Sequence, residues 1–233
     1  MADNLRTTLL ITTLLLSGCA TKPPSISFDR AASGVKNIAF ATPACPAKPI
    51  LVSLAPVTAY PILLGPFGSV ADQSVQQDHA EHFAELLTAQ RFSPCPMLEA
   101  DIKQDLISKG YEVKSVDADR SSGDFLALSP EAGLPTSDAY LDVVVTDYGY
   151  AASTITSPYQ PAVNVKFKLV RSRDSSIVMQ GSFGYSLFRD DERPDDAFNY
   201  WHYDDFSADQ TRAIKGMQEG FSKAAVAVTD ALD

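Results

Sequence analysis

Hydrophobic and polar positions along the chain fall into stretches of different period, and the periods lay out the elements. Three runs late in the chain alternate with a period of two. Residues 140–148 (YLDVVVTDY) set Leu141, Val143 and Val145 on one face. Residues 163–171 (VNVKFKLVR) set Val163, Val165, Phe167 and Leu169 inward, with Asn164, Lys166 and Lys168 outward. Residues 177–185 set Ile177, Met179, Phe183 and Tyr185 on one face. A short polar stretch, SRDSS at 172–176, separates the last two runs and reads as a hairpin turn. One-sided alternation in successive runs predicts antiparallel strands with one solvated face. Residues 50–60 (ILVSLAPVTAY), 111–116 (YEVKSV) and, more weakly, 35–42 read as further strands. Residues 61–72 (PILLGPFGSVAD) carry Pro and Gly at turn-making intervals and predict an apolar loop.

Helical periods separate these strands. Ser74 to Gln77 has capping-box spacing, and Val75, His79, Phe83, Leu86, Leu87 and Gln90 trace one face after it. Pro94 and Pro96 break that pattern. A second helix, 97–109, places Leu98, Ile102 and Leu106 at i, i+4 and i+8, with acids in its first turn and Gly110 at its stop. The chain ends in a long helix with an apolar stripe of Ile214, Met217, Phe221, Ala225, Val228 and Leu232. Gly216, Gly220 and Ala224 form a small-residue track suited to close packing on a sheet. The fold expected is α/β (an α+β sandwich): a mainly antiparallel sheet of about five strands, helices on one face, and a long C-terminal helix.

The start of the chain obeys a different rule. Residues 7–16 are an uncharged run of Thr, Leu and Ile that rises only about 15 Å as a helix, about half a bilayer's hydrocarbon thickness. A short apolar segment followed by small residues has the layout of a secretory signal. Its ending, Leu16-Ser17-Gly18-Cys19, resembles the lipobox of bacterial lipoproteins, in which the Cys thiol is acylated before cleavage. Residues 1–18 are then a signal peptide, residues 19–34 a polar, Pro-containing tether, and residues 35–233 a single periplasmic domain. Acyl chains, palmitate among them, each contribute about 0.8 kcal/mol per buried CH₂, which makes such an anchor effectively permanent. Ala20 follows the Cys. By resemblance to Gram-negative sorting rules this implies forwarding to the outer membrane.

Charge and cysteine count narrow the partners. Residues 1–18 remove one acid (Asp3) and one base (Arg6), so the remainder keeps the formal net charge of −10. That charge repels phosphate backbones and excludes nucleic acid as a partner. With Cys19 acylated, Cys45 and Cys95 remain, both beside proline. Two leftover thiols in an oxidising compartment pair into a disulfide, the alternative being two separate buried thiols.

The order helix, Lys109-Gly110-Tyr111-Glu112-Val113, Asp138-Ala139-Tyr140-Leu141-Asp142-Val143, hairpin and helix resembles a group of periplasmic α/β domains in outer-membrane lipoproteins. The group includes the curli-secretion lipoprotein, the amino-terminal domain of the Tol propeller protein and a peptidoglycan-synthase activator lipoprotein. The resemblance covers roughly residues 97–230 and rests on packing patterns. It implies a binding or assembly role.

No nucleophile elbow, phosphate-binding Gly loop or metalloprotease helix is present in the sequence. His79 and His82 lie at i and i+3, but a zinc site needs three or four ligands and His202 is the only further histidine, so no metal and no cofactor are expected. Residues 189–206 (RDDERPDDAFNYWHYDDF) mix five aromatic rings with seven carboxylates: Asp190, Asp191, Glu192, Asp195, Asp196, Asp204 and Asp205. Phe198, Tyr200, Trp201, His202, Tyr203 and Phe206 form the candidate binding patch, since Trp and Tyr favour interface centres. The competing reading is that these rings cap the open end of the sheet. The function expected is a non-enzymatic, lipid-anchored outer-membrane protein that binds an envelope protein or polymer. A small-ligand or glycan-binding lipoprotein, and a hydrolase built on the acids of 190–205, are the alternatives.

Overall fold

A computed structural model describes residues 25–53, 66–118, 120, 123–127, 136–154, 156–186 and 192–233, with backbone alone for 52–53 and 66–77. The signal segment, Cys19, Ala20, the expected strand residues 54–60, Asp190 and Asp191 lie outside the described residues. The elements run α1 (Arg30–Ser33), β1 (Asn37–Ala41), β2 (Ile50–Ser53), α2 (Pro66–Ala89), α3 (Pro94–Ser108), β3 (Glu112–Val116), β4 (Ala139–Ala152), β5 (Gln160–Arg171) and β6 (Ile177–Tyr185). A 3-10 turn (Asp196–Phe198), α4 (Asp204–Ala208) and α5 (Gln210–Asp230) complete the chain.

The strands form one six-stranded sheet in the order β3-β1-β4-β5-β6, with β2 also paired to β4. The alternating runs become β4, β5 and β6, joined as antiparallel neighbours as their period predicts. These two ladders carry most of the paired residues. The earlier strands are parallel: β1 pairs parallel with both β3 and β4, and β2 parallel with β4. Parallel neighbours need a crossover, and α3 supplies it between the strand pair β1, β2 and the returning strand β3.

Residues 37–53 behave as one strand broken in the middle. Ile38 lies opposite Ala139 at the start of β4, Ala44 bridges Val144, and Ile50 lies opposite Gly149 near its end. The break contains Pro46 and Pro49, which have no N–H to donate to a ladder. Cys45 in the break is bonded to Cys95 in the first turn of α3, with Cα atoms 6.2 Å apart. The paired-thiol expectation is realised, and the bridge pins the strand break to the helix layer. Gly149 has φ 141°, and a side chain there would run into the backbone of Ile50. The close approach of β2 therefore requires glycine at this position.

The helices pack on one face. Leu98, Ile102 and Leu106 of α3 and Met217, Phe221, Ala224, Ala225 and Val228 of α5 are all buried. A Cβ at Gly216 would meet the Tyr150 hydroxyl at 2.6 Å and Pro161 at 2.8 Å, and one at Gly220 would meet Tyr185 at 2.7 Å and Val163 at 2.8 Å. The small-residue track thus seats α5 directly on β4, β5 and β6.

Three sequence expectations are corrected. Residues 66–72, expected as loop, are the first turns of α2, which starts eight residues before the Ser74 capping-box spacing. Pro66 heads that helix, where its missing N–H has no intrahelical partner to lose. Pro94 likewise starts α3 and does not merely interrupt the pattern. The other face of the sheet is not solvated at its centre: Tyr140, Asp142 and Val144, which point away from the helices, are all buried. Arg120 and residues 123–127 cover Asp142. Arg120 donates to Asp142 Oδ1 at 2.7 Å, the Leu126 amide to Asp142 Oδ2 at 2.7 Å, and Phe125 lies over Lys166 and Lys168.

The chain read as tether docks onto the domain from residue 26. The backbone of Ile26 exchanges two hydrogen bonds with Gln180 of β6, and Arg30 lies 4.1 Å over the Tyr111 ring while donating to the Lys109 carbonyl.

Candidate functional site

The aromatic-acidic segment closes the end of the sheet where β4 finishes and β5 begins. Tyr159 and Tyr200 exchange backbone hydrogen bonds of 2.7 and 2.9 Å, which ties the segment to the start of β5. Acids in this segment and just after it brace its turns. Asp195 accepts from the Ala197 amide at the 3-10 turn, Asp205 accepts from the His202 amide at the head of α4, and Asp209 accepts from the Arg212 amide at the head of α5. Asp196 accepts from the Asn199 side chain, and Glu192 pairs with Lys223. These carboxylates stabilise local backbone by supplying acceptors to otherwise unpaired N–H groups.

The capped turns sort the six candidate residues into three environments. Tyr200 and Phe206 are only 1% exposed and belong to the core. Their rings stack with centroids 4.2 Å apart, and Phe206 meets Tyr150 edge-on at 4.8 Å and Phe83 at 5.3 Å. The buried phenols find partners: Tyr200 donates to the Asp209 carbonyl at 2.7 Å and Tyr150 to the Ala213 carbonyl at 3.0 Å. Arg212 covers the Tyr200 ring, its guanidinium carbon 4.1 Å from the centroid. Burial pushes the phenols of both Tyr150 and Tyr200 above the usual tyrosine range.

Phe198 and Tyr203 are half-buried. Tyr203 lies flat on His79 of α2, with centroids 3.7 Å apart and planes 4° from parallel, and its hydroxyl is 2.5 Å from His82 Nδ1. Both histidines flagged by their spacing therefore serve one tyrosine. Among the described residues no group of three His, Cys, Asp or Glu side chains is placed to hold a metal ion.

Trp201 and His202 are exposed, Trp201 by 63%. The six residues do not form one surface. Tyr200 and Phe206 cap the core, and a candidate patch at this end is reduced to Trp201 and His202 with the outer edge of Tyr203. The reason is local geometry: the bridge to Tyr159 turns Tyr200 inward, and the single helical turn between Tyr203 and Phe206 turns Phe206 inward as well. Trp201 is left on a turn braced from both sides, by the Tyr200 bridge and by the reciprocal Asp205–His202 bonds. A second, polar cleft lies at the other end of β4, and neither it nor the small apolar void around Leu86 and Gln210 is lined by Trp201. The sequence marked this other end only as a polar hairpin turn.

No protein-family model matches the chain, and no curated protein sequence matches it. Solved structures of similar shape include a protein from Xanthomonas campestris assigned to family model DUF330. It has a TM-score of 0.43 and 10% identity, over 84% of this chain and 81% of that one. A PelC dodecamer from Paraburkholderia phytofirmans gives a TM-score of 0.39 and 10% identity over 91% and 97%. The lipoprotein GNA1162 from Neisseria meningitidis gives 0.23 and 15% identity over 64% and 81%.

Proposed function

We propose that this chain is an outer-membrane lipoprotein, anchored through acylated Cys19 and facing the periplasm, that binds another envelope component, a protein or a polymer, without catalysing a reaction. The observation that carries the binding role is Trp201. It is the chain's single tryptophan, it is largely exposed, and it follows directly on Tyr200, which is fixed in the core. A large exposed ring on a braced backbone turn offers apolar contact area at low side-chain entropy cost.

The anchor rests on the Leu16-Ser17-Gly18-Cys19 ending, and the Cys45–Cys95 bridge supports an oxidising compartment. The docked Ile26 follows Cys19 by only seven Cα–Cα steps. Fully extended they reach about 25 Å, so an anchored domain stays close to its membrane. The likeness of residues 97–230 to the curli-secretion, Tol and synthase-activator lipoprotein domains supports an assembly or accessory role.

The test is a photo-crosslinking residue placed at 201 in living cells, with one at Ser222 on the exposed side of α5 as control. A discrete species from 201 alone, identified as an envelope component by mass spectrometry, is the expected result. Equal labelling from both positions, or none, overturns the binding role. The anchor is tested separately on the purified protein: its mature amino terminus should be an acylated Cys19, and a mature terminus at any other residue refutes it.

A further inference from the structure

Two large apolar side chains are left exposed at one corner of the sheet, Ile26 by 41% and Ile177 by 44%. Both lie at the edge strand β6, Ile26 through its backbone bridge to Gln180 and Ile177 as the first residue of the strand. The register puts them on one face. Ile177 lies opposite Val170, which lies opposite Tyr140, and Gln180 lies opposite Lys168, which lies opposite Asp142. Opposed residues project to the same side of a sheet, and Tyr140 and Asp142 point away from the helices. A register shift between Leu169 and Val170 turns Ile177 to this side, out of the inward face that its alternation with Met179 predicts.

This corner is also where the chain arrives from Cys19. Ile26 follows Cys19 by seven Cα–Cα steps, which span about 25 Å at most. The aromatic cap lies at the other end of the same strands. Tyr200 bridges Tyr159 just ahead of β5, Ile177 lies opposite Val170 near the close of β5, and the rise between these two points is roughly 35 Å. Charge divides the same way. Asp195, Asp196, Asp204 and Asp205 gather at the cap, none of them in an ion pair among the described residues. The hairpin end is mixed, with Lys109 paired to Asp230 and Asp233, and Arg173 to Asp174. Anionic lipid headgroups therefore repel the cap more strongly than the hairpin end.

We infer that the domain, on the reading that Cys19 is its anchor, rests on the bilayer through this corner, with Ile26 and Ile177 entering the headgroup boundary and Trp201 held away from the membrane. Two apolar side chains do not hold a free protein on a lipid surface. The anchor makes their contact intramolecular, at a high effective concentration, and a weak contact is then enough to set the orientation. The outcome is a domain that stands with its β5–β6 hairpin toward the lipid and presents Trp201 to the periplasm.

Quenching by brominated lipids tests this orientation in the mature full chain, reconstituted into vesicles of phosphatidylethanolamine and phosphatidylglycerol with brominated acyl chains. Trp201 is the single tryptophan, so the parent reports on the cap. Ile26→Trp and Ile177→Trp, each in a Trp201→Phe chain, report on the corner, and Val226→Trp in the same background reports on an exposed apolar position of α5. Emission from positions 26 and 177 should fall about twofold or more relative to unbrominated vesicles, as expected of rings at the headgroup–acyl boundary. Emission from positions 201 and 226 should be unchanged. Unquenched emission at 26 or 177, or quenching at 201 or 226 comparable to theirs, overturns the orientation. Mass spectrometry of the same samples separates the two claims. An acylated Cys19 without quenching at the corner defeats the orientation alone, whereas a mature terminus at another residue defeats the anchor and the orientation together.

Discussion

The Asp142 carboxylate, fully buried on the face of the sheet away from the helices, is held 2.7 Å from the Arg120 guanidinium. The Leu126 amide and, at 3.9 Å, the Lys168 ammonium complete its surroundings. Burial pulls the Lys168 ammonium below the usual lysine range, with Asp142 opposing that shift. One buried charge thus clips Arg120 and Leu126 over the centre of the sheet.

Removing its principal partner should be severe. Arg120→Ala leaves a buried carboxylate under-compensated and is expected to destabilise the chain by about 3–5 kcal/mol in urea denaturation. The Leu126 amide should lose protection in hydrogen exchange at the same time. A loss below about 1 kcal/mol would mean that the covering segment is not held by this pair.

The Cys45–Cys95 bridge closes a separation of 50 residues and ties the break between β1 and β2 to α3. In the chain-entropy picture a loop of that size contributes about 4 kcal/mol. Cys45→Ala with Cys95→Ala should therefore lower the unfolding free energy by that order, and non-reducing peptide mapping of the parent should recover one crosslinked peptide. Two freely alkylatable thiols in the exported protein would contradict the arrangement.

The buried phenols set an alkaline limit. Burial holds Tyr150 and Tyr185 above the usual value near 10 that an unfolded chain shows. Above that pH the unfolded chain releases these protons and the folded chain keeps them, so stability is fully present below about pH 10 and falls as pH rises beyond it. Tyrosinate absorbance from these residues should appear together with unfolding. Tyr150→Phe should lose about 1 kcal/mol at neutral pH, through its bond to the Ala213 carbonyl, yet show a shallower alkaline decline. Full tyrosinate formation in a still-folded chain would refute the burial argument.

The strands from 140 to 185 and the stripe on α5 were legible because period and burial coincide there. Val163, Val165, Phe167 and Leu169 are buried as their alternation requires, and Gly216 and Gly220 touch the sheet. What hid from the sequence is whatever depends on a distant segment. Asp142 reads as an outward, solvated residue because Arg120 and Leu126, which close over it, come from a separate stretch of the chain. The start of α2 was misplaced because Pro66 and Gly68 punctuate loops as readily as they open helices. The aromatic segment has no period, so residue type alone could not separate core Tyr200 and Phe206 from exposed Trp201. The polar cleft at the start of β4 was invisible because its lining comes from three separate places in the chain.

That separation allows the binding role to be tested apart from folding. Tyr200 is a core ring, and Tyr200→Ala should cost about 3–5 kcal/mol, as loss of a buried aromatic does. Trp201, one residue on, should behave as an ordinary surface position, with Trp201→Ala changing stability by about 0.5 kcal/mol or less. The decisive measurement is Trp201→Ala in cells, with capture of the envelope partner by a crosslinker at the neighbouring position 202 read beside the thermal melt of the purified chain. The account predicts that capture is lost while the melting temperature stays within a degree or two of the parent. Undiminished capture, or a melting temperature that falls as far as for Tyr200→Ala, would contradict it.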